Sequence, residues 1–197
     1  MATWYARMAD IPQIQFRGSP GVNRASLAEA RVRPRTGYGG DYLMWPSPQG
    51  ETSASPAHQR AFHDTTAMNR GDLVRWVWEG LEVPGEPSDY HFLLQGAVER
   101  LWKCRGSDPE GLRFVEIFGY LDLALIEAAP QAVTLDRGDG PQGFVHILTL
   151  DMLLILLERE GAFREALALS RRAERFGERY RREDIEAKVA ALDDELI

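Results

Sequence analysis

The chain has four histidines and one cysteine, which are the side chains that could bind a metal ion or act as nucleophiles. Their spacings match neither the His-Glu-x-x-His nor the Cys-x-x-Cys pattern of zinc sites. His58 and His63 are five residues apart and would not share a helix face. Cys104 has basic neighbours, but the sequence places no base beside it, so we expect a structural thiol. We therefore predict no catalytic centre, no cofactor and no metal.

Two glycine-containing segments have the composition of ligand-binding loops. Residues 37–40 (Gly-Tyr-Gly-Gly) are not followed by the Gly-Lys-Ser/Thr that a phosphate-binding loop needs. Residues 136–140 (Asp-Arg-Gly-Asp-Gly) have carboxylates three apart, whereas an EF-hand loop needs alternate carboxylates and a closing glutamate. We expect a flexible turn at the first segment and a plain loop at the second.

Arginines alternate at Arg31, Arg33 and Arg35, and aromatic residues follow at positions 38, 42 and 45. Such a cluster can neutralise phosphates and stack bases, so it is the candidate nucleic-acid site. The alternative is an arm that folds back on an acidic body. Residues 1–70 carry a net charge of +3 and residues 71–197 a net charge of −10, so the body should repel nucleic acid. We therefore favour the fold-back arm over a nucleic-acid partner.

The longest apolar run, residues 144–157, has 14 residues and is interrupted by Asp151. A helix needs about 18 to 20 apolar residues to cross a bilayer, so we expect a buried helix and no membrane contact. The first ten residues lack the basic start and apolar stretch of a secretory signal, and a single cysteine excludes an internal disulfide. The sequence therefore predicts a cytoplasmic protein.

The first 56 residues contain twelve prolines and glycines and show no sustained periodicity, which predicts loops with a few short strands. Ile14 and Phe16 alternate with polar residues, and Pro12 just before them indicates an edge strand. Residues 42–45 (Tyr-Leu-Met-Trp) are the other candidate strand. Residues 47–56 are polar and typical of a linker, so we place a boundary there.

Apolar residues after this boundary recur at three- and four-residue spacing, which predicts α-helices. Asp89 is a candidate cap for a helix that stops at Gly106. Residues 107–110 (Ser-Asp-Pro-Glu) have the cap, the proline and the acids that begin the next helix. We expect an irregular N-terminal region or arm over residues 1–56 and a helical domain with at least five helices over residues 57–197.

The clearest pattern lies in residues 144–177, where an apolar helix stops at Gly161 and a second helix follows a short turn. These residues resemble a tetratricopeptide (TPR) repeat, in which small residues let two antiparallel helices approach and larger residues fill the gap. The matching positions are Leu153, Leu157, Gly161, Phe163, Ala166 and Ala173. Leu154, Ser170 and Glu178 depart from the repeat pattern. The resemblance implies a helical hairpin with its matching side chains buried.

Similar turns recur upstream, because Gly106 lies 35 residues after Gly71, close to the TPR period of about 34. The step from Gly106 to Gly161 is 55 residues, so the last hairpin follows an insertion. Residues 181–196 have apolar side chains on one face, which suits a capping helix. Those side chains are Ile185, Val189 and Leu192. The resemblance thus implies a mainly α fold, a short TPR-like stack of antiparallel helical hairpins over residues 57–197.

In TPR-like arrays the first helix of each hairpin lines a concave groove. The resemblance places Leu93, Arg100 and Lys103 there from the middle hairpin, and Leu148, Asp151, Ile155 and Glu158 from the last one. The basic pair would hold a carboxylate of a partner beside apolar side chains. The resemblance therefore implies a non-enzymatic adaptor that binds a peptide or protein segment in a helical groove. A structural or self-associating scaffold module, and a nucleic-acid-associated protein using the basic arm, remain the alternatives.

Overall fold

Seven α-helices follow Ser55 in the computed structural model, which describes residues 8–135 and 143–194. They are α1 (Pro56–Ala61), α2 (Arg70–Gly80), α3 (Pro87–Cys104), α4 (Leu112–Ala128), α5 (Leu148–Arg159), α6 (Phe163–Ala173) and α7 (Glu183–Asp194). This confirms a mainly helical protein with at least five helices after residue 56. The loop predicted over residues 136–140 lies outside the described residues.

Side-chain caps set the starts of the first three helices. Ser55 accepts a hydrogen bond from the backbone of His58, and Pro56 takes the first position of α1, where its missing N–H costs nothing. Asn69 caps α2 by accepting from Asp72 N at 3.0 Å. The cap predicted at Asp89 is corrected by the structure, because Glu86 is the N-cap of α3. Its side chain accepts from the Asp89 backbone, while the Asp89 carboxylate, at the third helical position, accepts from the Glu86 backbone in a capping box.

The N-terminal region contains an antiparallel three-stranded sheet in the order β1 (Arg33–Gly37), β2 (Gly40–Ser47) and β3 (Gly50–Thr52). The strand predicted over residues 42–45 is confirmed within β2. The strand predicted around Ile14 and Phe16 does not form, because both side chains pack against the helical core and no strand within residues 8–135 and 143–194 pairs with them. A small two-stranded ladder, β4 (Thr134–Leu135) and β5 (Gly143–Phe144), precedes α5.

The turn predicted at Gly161 is present. Gly161 has φ +74°, a left-handed conformation that ends α5 and lets α6 begin two residues later. The two helices contact each other as a hairpin, with Leu153 and Ala166 fully buried and Phe163 half-buried. The turn predicted at Gly71 is not present, because Asn69 already caps α2 and Gly71 lies inside its first turn. Gly106 lies between α3 and α4, as predicted.

Two apolar clusters form the interior. The first joins α2, α3 and α4 around Val77, Leu94 and Phe118, and the second joins α4, α5 and α6 around Ile126 and Leu150. Helix α4 contributes to both, because opposite sides of it face the two clusters. The predicted capping helix is α7, which buries Ile185 and half-buries Val189 but leaves Leu192 exposed. None of the helices in the described residues is long and apolar enough to cross a membrane.

A fully buried polar network links α3, α4 and α5. The Asp122 carboxylate lies 2.8 Å from His91 Nδ1 and accepts a hydrogen bond from the Thr149 hydroxyl, and all three side chains are 0% exposed. The other ring nitrogen of His91, Nε2, is buried without a hydrogen-bond partner among the described residues. The network ties the three helices together at one point, where burial makes each polar group dependent on the others.

The N-terminal region packs on the same interior as the helices. Met8 and Ile11 are buried in the first apolar cluster. The Ser19 backbone donates to the Glu82 carboxylate at 2.6 Å, and Arg24 pairs with the same carboxylate at 3.0 Å. These contacts fit the expected fold-back onto the acidic body, although Arg24 provides the ion pair and the cluster beginning at Arg31 does not.

Candidate partner-binding site

The predicted groove residues of the last hairpin share one outer face of α5. Ile155 is 37% exposed and Leu148 is half-buried. The two carboxylates, Asp151 and Glu158, are already paired within the chain. Their partners are His146 and Arg179 for Asp151, and Arg182 and Lys188 for Glu158. Hydrogen bonds from Lys188 and then Arg182 hold the pKa of Glu158 below its ordinary value.

The predicted groove residues of α3 lie on a different side of the bundle. Leu93 is buried against Gly80 of α2, and Arg100 donates to the Thr66 carbonyl at 2.6 Å. Lys103 is exposed and pairs with Glu99 within the same helix. These contacts turn the Leu93–Arg100 side of α3 toward α2 and the segment before it.

The side of α3 that faces α5 carries other residues. Gln95 accepts a hydrogen bond from the Leu148 backbone at 2.8 Å, and the Arg159 guanidinium lies 5.5 Å from the Trp102 ring. Gln95 and Trp102 are seven residues apart, so they share a face that lies roughly opposite the face of Leu93 and Arg100. The structure therefore brings the α5 residues together but does not join them to Arg100 and Lys103 in one groove.

The basic cluster of the N-terminal region lies on the three-stranded sheet. Arg33 and Arg35 both pair with Glu51 of β3, at 2.7 and 2.8 Å, while Arg31 is exposed ahead of β1. Hydrogen bonds from Arg35 and then Arg33 hold the pKa of Glu51 below its ordinary value. One carboxylate thus offsets part of the positive charge that a phosphate backbone would need.

A cavity of about 580 Å³ lies between the loop after β2 and the helices α1 and α2, and we name it the aromatic cleft. Its lining residues are Ala28, Glu29, Pro46, Ser47, Pro48, Gln49, Pro56, His58, Gln59, Arg60, Phe62, His63 and Trp76. Prolines form one side and aromatic rings the other. Phe62, just after α1, is 61% exposed, so a large apolar ring faces solvent at this concave surface.

Arg60 forms the floor of the aromatic cleft, where ion pairs and hydrogen bonds hold it in place. Arg60 is 5% exposed, and its guanidinium pairs with Glu29 at 2.5 Å and with Glu79 at 3.0 Å. It also lies 4.3 Å from the centre of the Trp76 ring, while the Trp76 indole donates to the Arg60 carbonyl at 3.1 Å. These contacts fix the Trp76 ring, so the cleft is preformed.

The aromatic wall continues from one ring to the next along α1. The His58 ring lies 4.6 Å from the Phe62 ring, which in turn lies 5.7 Å from the Phe92 ring on α3. The His63 ring lies 4.9 Å from the Trp76 ring. The wall is therefore built from three helices, α1, α2 and α3, and from the segment that joins α1 to α2.

Asp89 holds α1 in place against the start of α3. Its carboxylate lies 3.0 Å from His58 Nδ1 and accepts from the Ser55 hydroxyl at 2.7 Å. An ionised carboxylate can only accept, so the imidazole donates in this contact. A methyl group at Gly85 would collide with Ala57, so only glycine permits this close approach of α1.

No protein-family model matches the chain, and neither a curated protein nor a solved structure is similar enough to indicate a relative. The aromatic cleft therefore has to be interpreted from its own chemistry. Sequence reasoning missed it, because several of its residues come from a segment without periodicity that lies far in sequence from Trp76. The available signal was the run of prolines at Pro46, Pro48 and Pro56 beside Phe62, which we interpreted as a linker and not as a surface.

Proposed function

We propose that the protein is a non-enzymatic interaction module that holds an extended, proline-containing segment of a partner protein in the aromatic cleft. The observation that carries the proposal is Phe62, a large apolar ring left 61% exposed at a concave surface whose floor is rigid. Exposed apolar surface of this kind marks binding sites, since a fold that had no use for it would bury or replace it.

The shape and chemistry of the cleft favour a polyproline II segment. Such a segment is already extended before binding, so it loses little conformational entropy in an aromatic-lined groove. Trp76 and Phe62 supply flat apolar surfaces, and His63 supplies a polar group beside them. The preformed Trp76 ring lowers the ordering cost further on the protein side.

We also propose that the hairpins α3–α4 and α5–α6 form a TPR-like stack in the cytoplasm. Support comes from the direct contact of α3 with α5 and from the Gly161 turn. In this proposal the stack is the scaffold, and the partner lies on α1 and α2 beside the sheet. The α5 face around Ile155 remains the predicted alternative location.

A decaproline peptide with a fluorescent label is the probe, and a glycine–serine peptide of equal length is its control. Fluorescence anisotropy measures affinity, and NMR follows the Trp76 indole N–H during the titration. We expect Phe62→Ala to weaken decaproline binding at least tenfold, because truncating a central aromatic anchor typically costs about 2 kcal/mol or more. The fold should remain intact, because Phe62 is mostly exposed.

Ile155→Ala is the matched control, since it truncates another exposed apolar side chain on a different face. It should leave decaproline binding unchanged. Loss of binding in Ile155→Ala with full binding in Phe62→Ala would move the site to α5. Equal binding of decaproline and the glycine–serine peptide would refute the proposal.

A further inference from the structure

A second cavity, of about 330 Å³, lies on the other side of His58, and we name it the acidic pocket. Its lining residues are Tyr42, Leu43, Trp45, Ser53, Ala54, Ser55, His58, Glu86 and Asp89. It opens between β2, the segment before α1 and the start of α3. Since His58 lines both cavities, the acidic pocket and the aromatic cleft are neighbours.

The charge of the acidic pocket is negative and incompletely neutralised. Glu86 and Asp89 both line it, and no lysine or arginine does so among the described residues. Asp89 is occupied by Ser55 and His58, whereas Glu86 is exposed and has no ion-pair partner in the described part of the chain. Although the residue as a whole is exposed, partial desolvation of its carboxylate, and then repulsion by Asp89, raises the pKa of Glu86 above its ordinary value. The fold therefore keeps a carboxylate where its charge is disfavoured.

Aromatic surface stands beside these carboxylates. Trp45 is 4% exposed and forms an inner wall, while Tyr42 is half-exposed at the rim and its ring lies against Gly37. Carboxylates attract a cation, and the face of an aromatic ring adds to that attraction when the cation lies over it. An ammonium or guanidinium group has the charge and the size for such a pocket.

We propose that the acidic pocket receives a lysine or arginine side chain of the same partner segment whose prolines lie in the aromatic cleft. This inference rests on the proposed function and specifies its partner as a basic, proline-containing segment. The net charge of the whole chain, −7, agrees in sign and would draw a basic partner toward the protein.

The pocket is tested with fragments that need no proline. The probes are N-acetyl-arginine amide and N-acetyl-citrulline amide, which have nearly the same shape but differ in charge. NMR titration of the labelled protein follows the Glu86 and Ser55 amides and the Trp45 indole. We expect the arginine fragment to bind in the millimolar range at the pocket and the citrulline fragment to bind at least tenfold more weakly.

Glu86→Gln is the decisive variant, because it removes the charge and keeps a side chain of the same size that can still cap α3. It should reduce the affinity for the arginine fragment at least tenfold while leaving the melting temperature at pH 7 unchanged or higher. Glu160→Gln removes the same charge at an exposed position after α5 and should leave binding unchanged. Equal binding of the two fragments, or unchanged arginine binding in Glu86→Gln, would overturn the inference.

Failure of this inference is distinguishable from failure of the proposed function. Decaproline extended by one arginine, compared with decaproline extended by one citrulline, separates the two. Binding of both peptides with equal affinity would support proline binding in the aromatic cleft and overturn the proposal that the acidic pocket receives a basic side chain. Binding of the arginine fragment without any binding of decaproline would refute the proposed binding of proline in the aromatic cleft. It would also refute the proposal of a single partner segment that is both basic and proline-containing. Concentration-dependent self-association that is lost in Glu86→Gln would make a second copy the occupant and overturn the proposal.

Discussion

Replacing Asp122 should be among the most damaging single changes in the chain. Asp122→Ala leaves the imidazole of His91 and the hydroxyl of Thr149 buried without their common partner. Leaving a buried polar group without its hydrogen-bond partner typically costs about 1–3 kcal/mol, and this change leaves two such groups, so we expect a loss of about 2–6 kcal/mol. Small domains have a total stability of about 5–15 kcal/mol, so the loss is a large fraction of what holds this fold together.

Urea unfolding, followed by far-ultraviolet circular dichroism and tryptophan fluorescence, measures the effect. The midpoint should fall with little change in the slope, because the native surface is the same. Asp122→Asn should cost less, since an amide keeps the shape and can still accept one of the two hydrogen bonds. Replacing His91, Asp122 and Thr149 together by apolar residues of similar volume should cost less than Asp122→Ala, because no polar group is then left unpaired. A loss below about 1 kcal/mol for Asp122→Ala would refute the interpretation that the network is interdependent.

Four further substitutions test other parts of the structure. Hydrogen bonds from Arg182 lower the pKa of Asp184 from 3.8 to about 2, so this contribution to stability is complete above about pH 4 and is lost as the pH falls toward 2. Because the Asp184 side chain is 53% exposed, this ion pair contributes less than about 1 kcal/mol to stability, and salt screens it. The melting temperatures of the protein and of Asp184→Asn should therefore converge as the pH falls from 4 to 2. Gly161→Ala should destabilise the protein by about 1–2 kcal/mol, because the φ of +74° at this position is unfavourable for alanine. Gly96→Ala, on the open face of α3, should stabilise the protein by about 0.5–1 kcal/mol in the same urea assay, because alanine favours a helix more than glycine does. Ala166→Leu should cost about 1–3 kcal/mol by overpacking the α5–α6 crossing, and an unchanged midpoint would contradict the observed hairpin.

The sequence predicted what depends on neighbouring residues and missed what depends on distant ones. Helix α5, the Gly161 turn and helix α6 follow from local spacing and backbone preference, and all three are present. Arg100 and Lys103 both lie on α3, three residues apart, which follows from helical spacing alone. The direction in which Arg100 points is set by tertiary contacts that residue spacing does not encode. The side of α3 that faces α5 carries Gln95 and Trp102 instead.

Both cavities escaped prediction for the same reason. Each is bounded by segments far apart in sequence, such as Pro46 beside Trp76 in the aromatic cleft and Tyr42 beside Glu86 in the acidic pocket. Prolines and aromatic residues in a non-periodic segment indicate a turn or a linker when they are considered alone. Only the chain fold brings them opposite a helix, where the same residues form a wall.

The electrostatics of the N-terminal region bear on the choice between the proposed partner classes. Arg33 and Arg35 share Glu51, so the strongest basic cluster of the chain is partly neutralised from within its own sheet. The opposite holds for Glu86, a carboxylate whose surroundings supply no ion pair in the described residues. A surface whose cations are paired and whose carboxylate is not should attract a basic polypeptide more than a nucleic acid.

The same region also forms one wall of each cavity, through Pro46 and Pro48 on one side of the sheet segment and through Tyr42 and Trp45 on the other. Its buried contacts with the helices place it where these side chains complete the walls of both cavities. A helical body without this region would lack those walls, so both proposed binding surfaces depend on it.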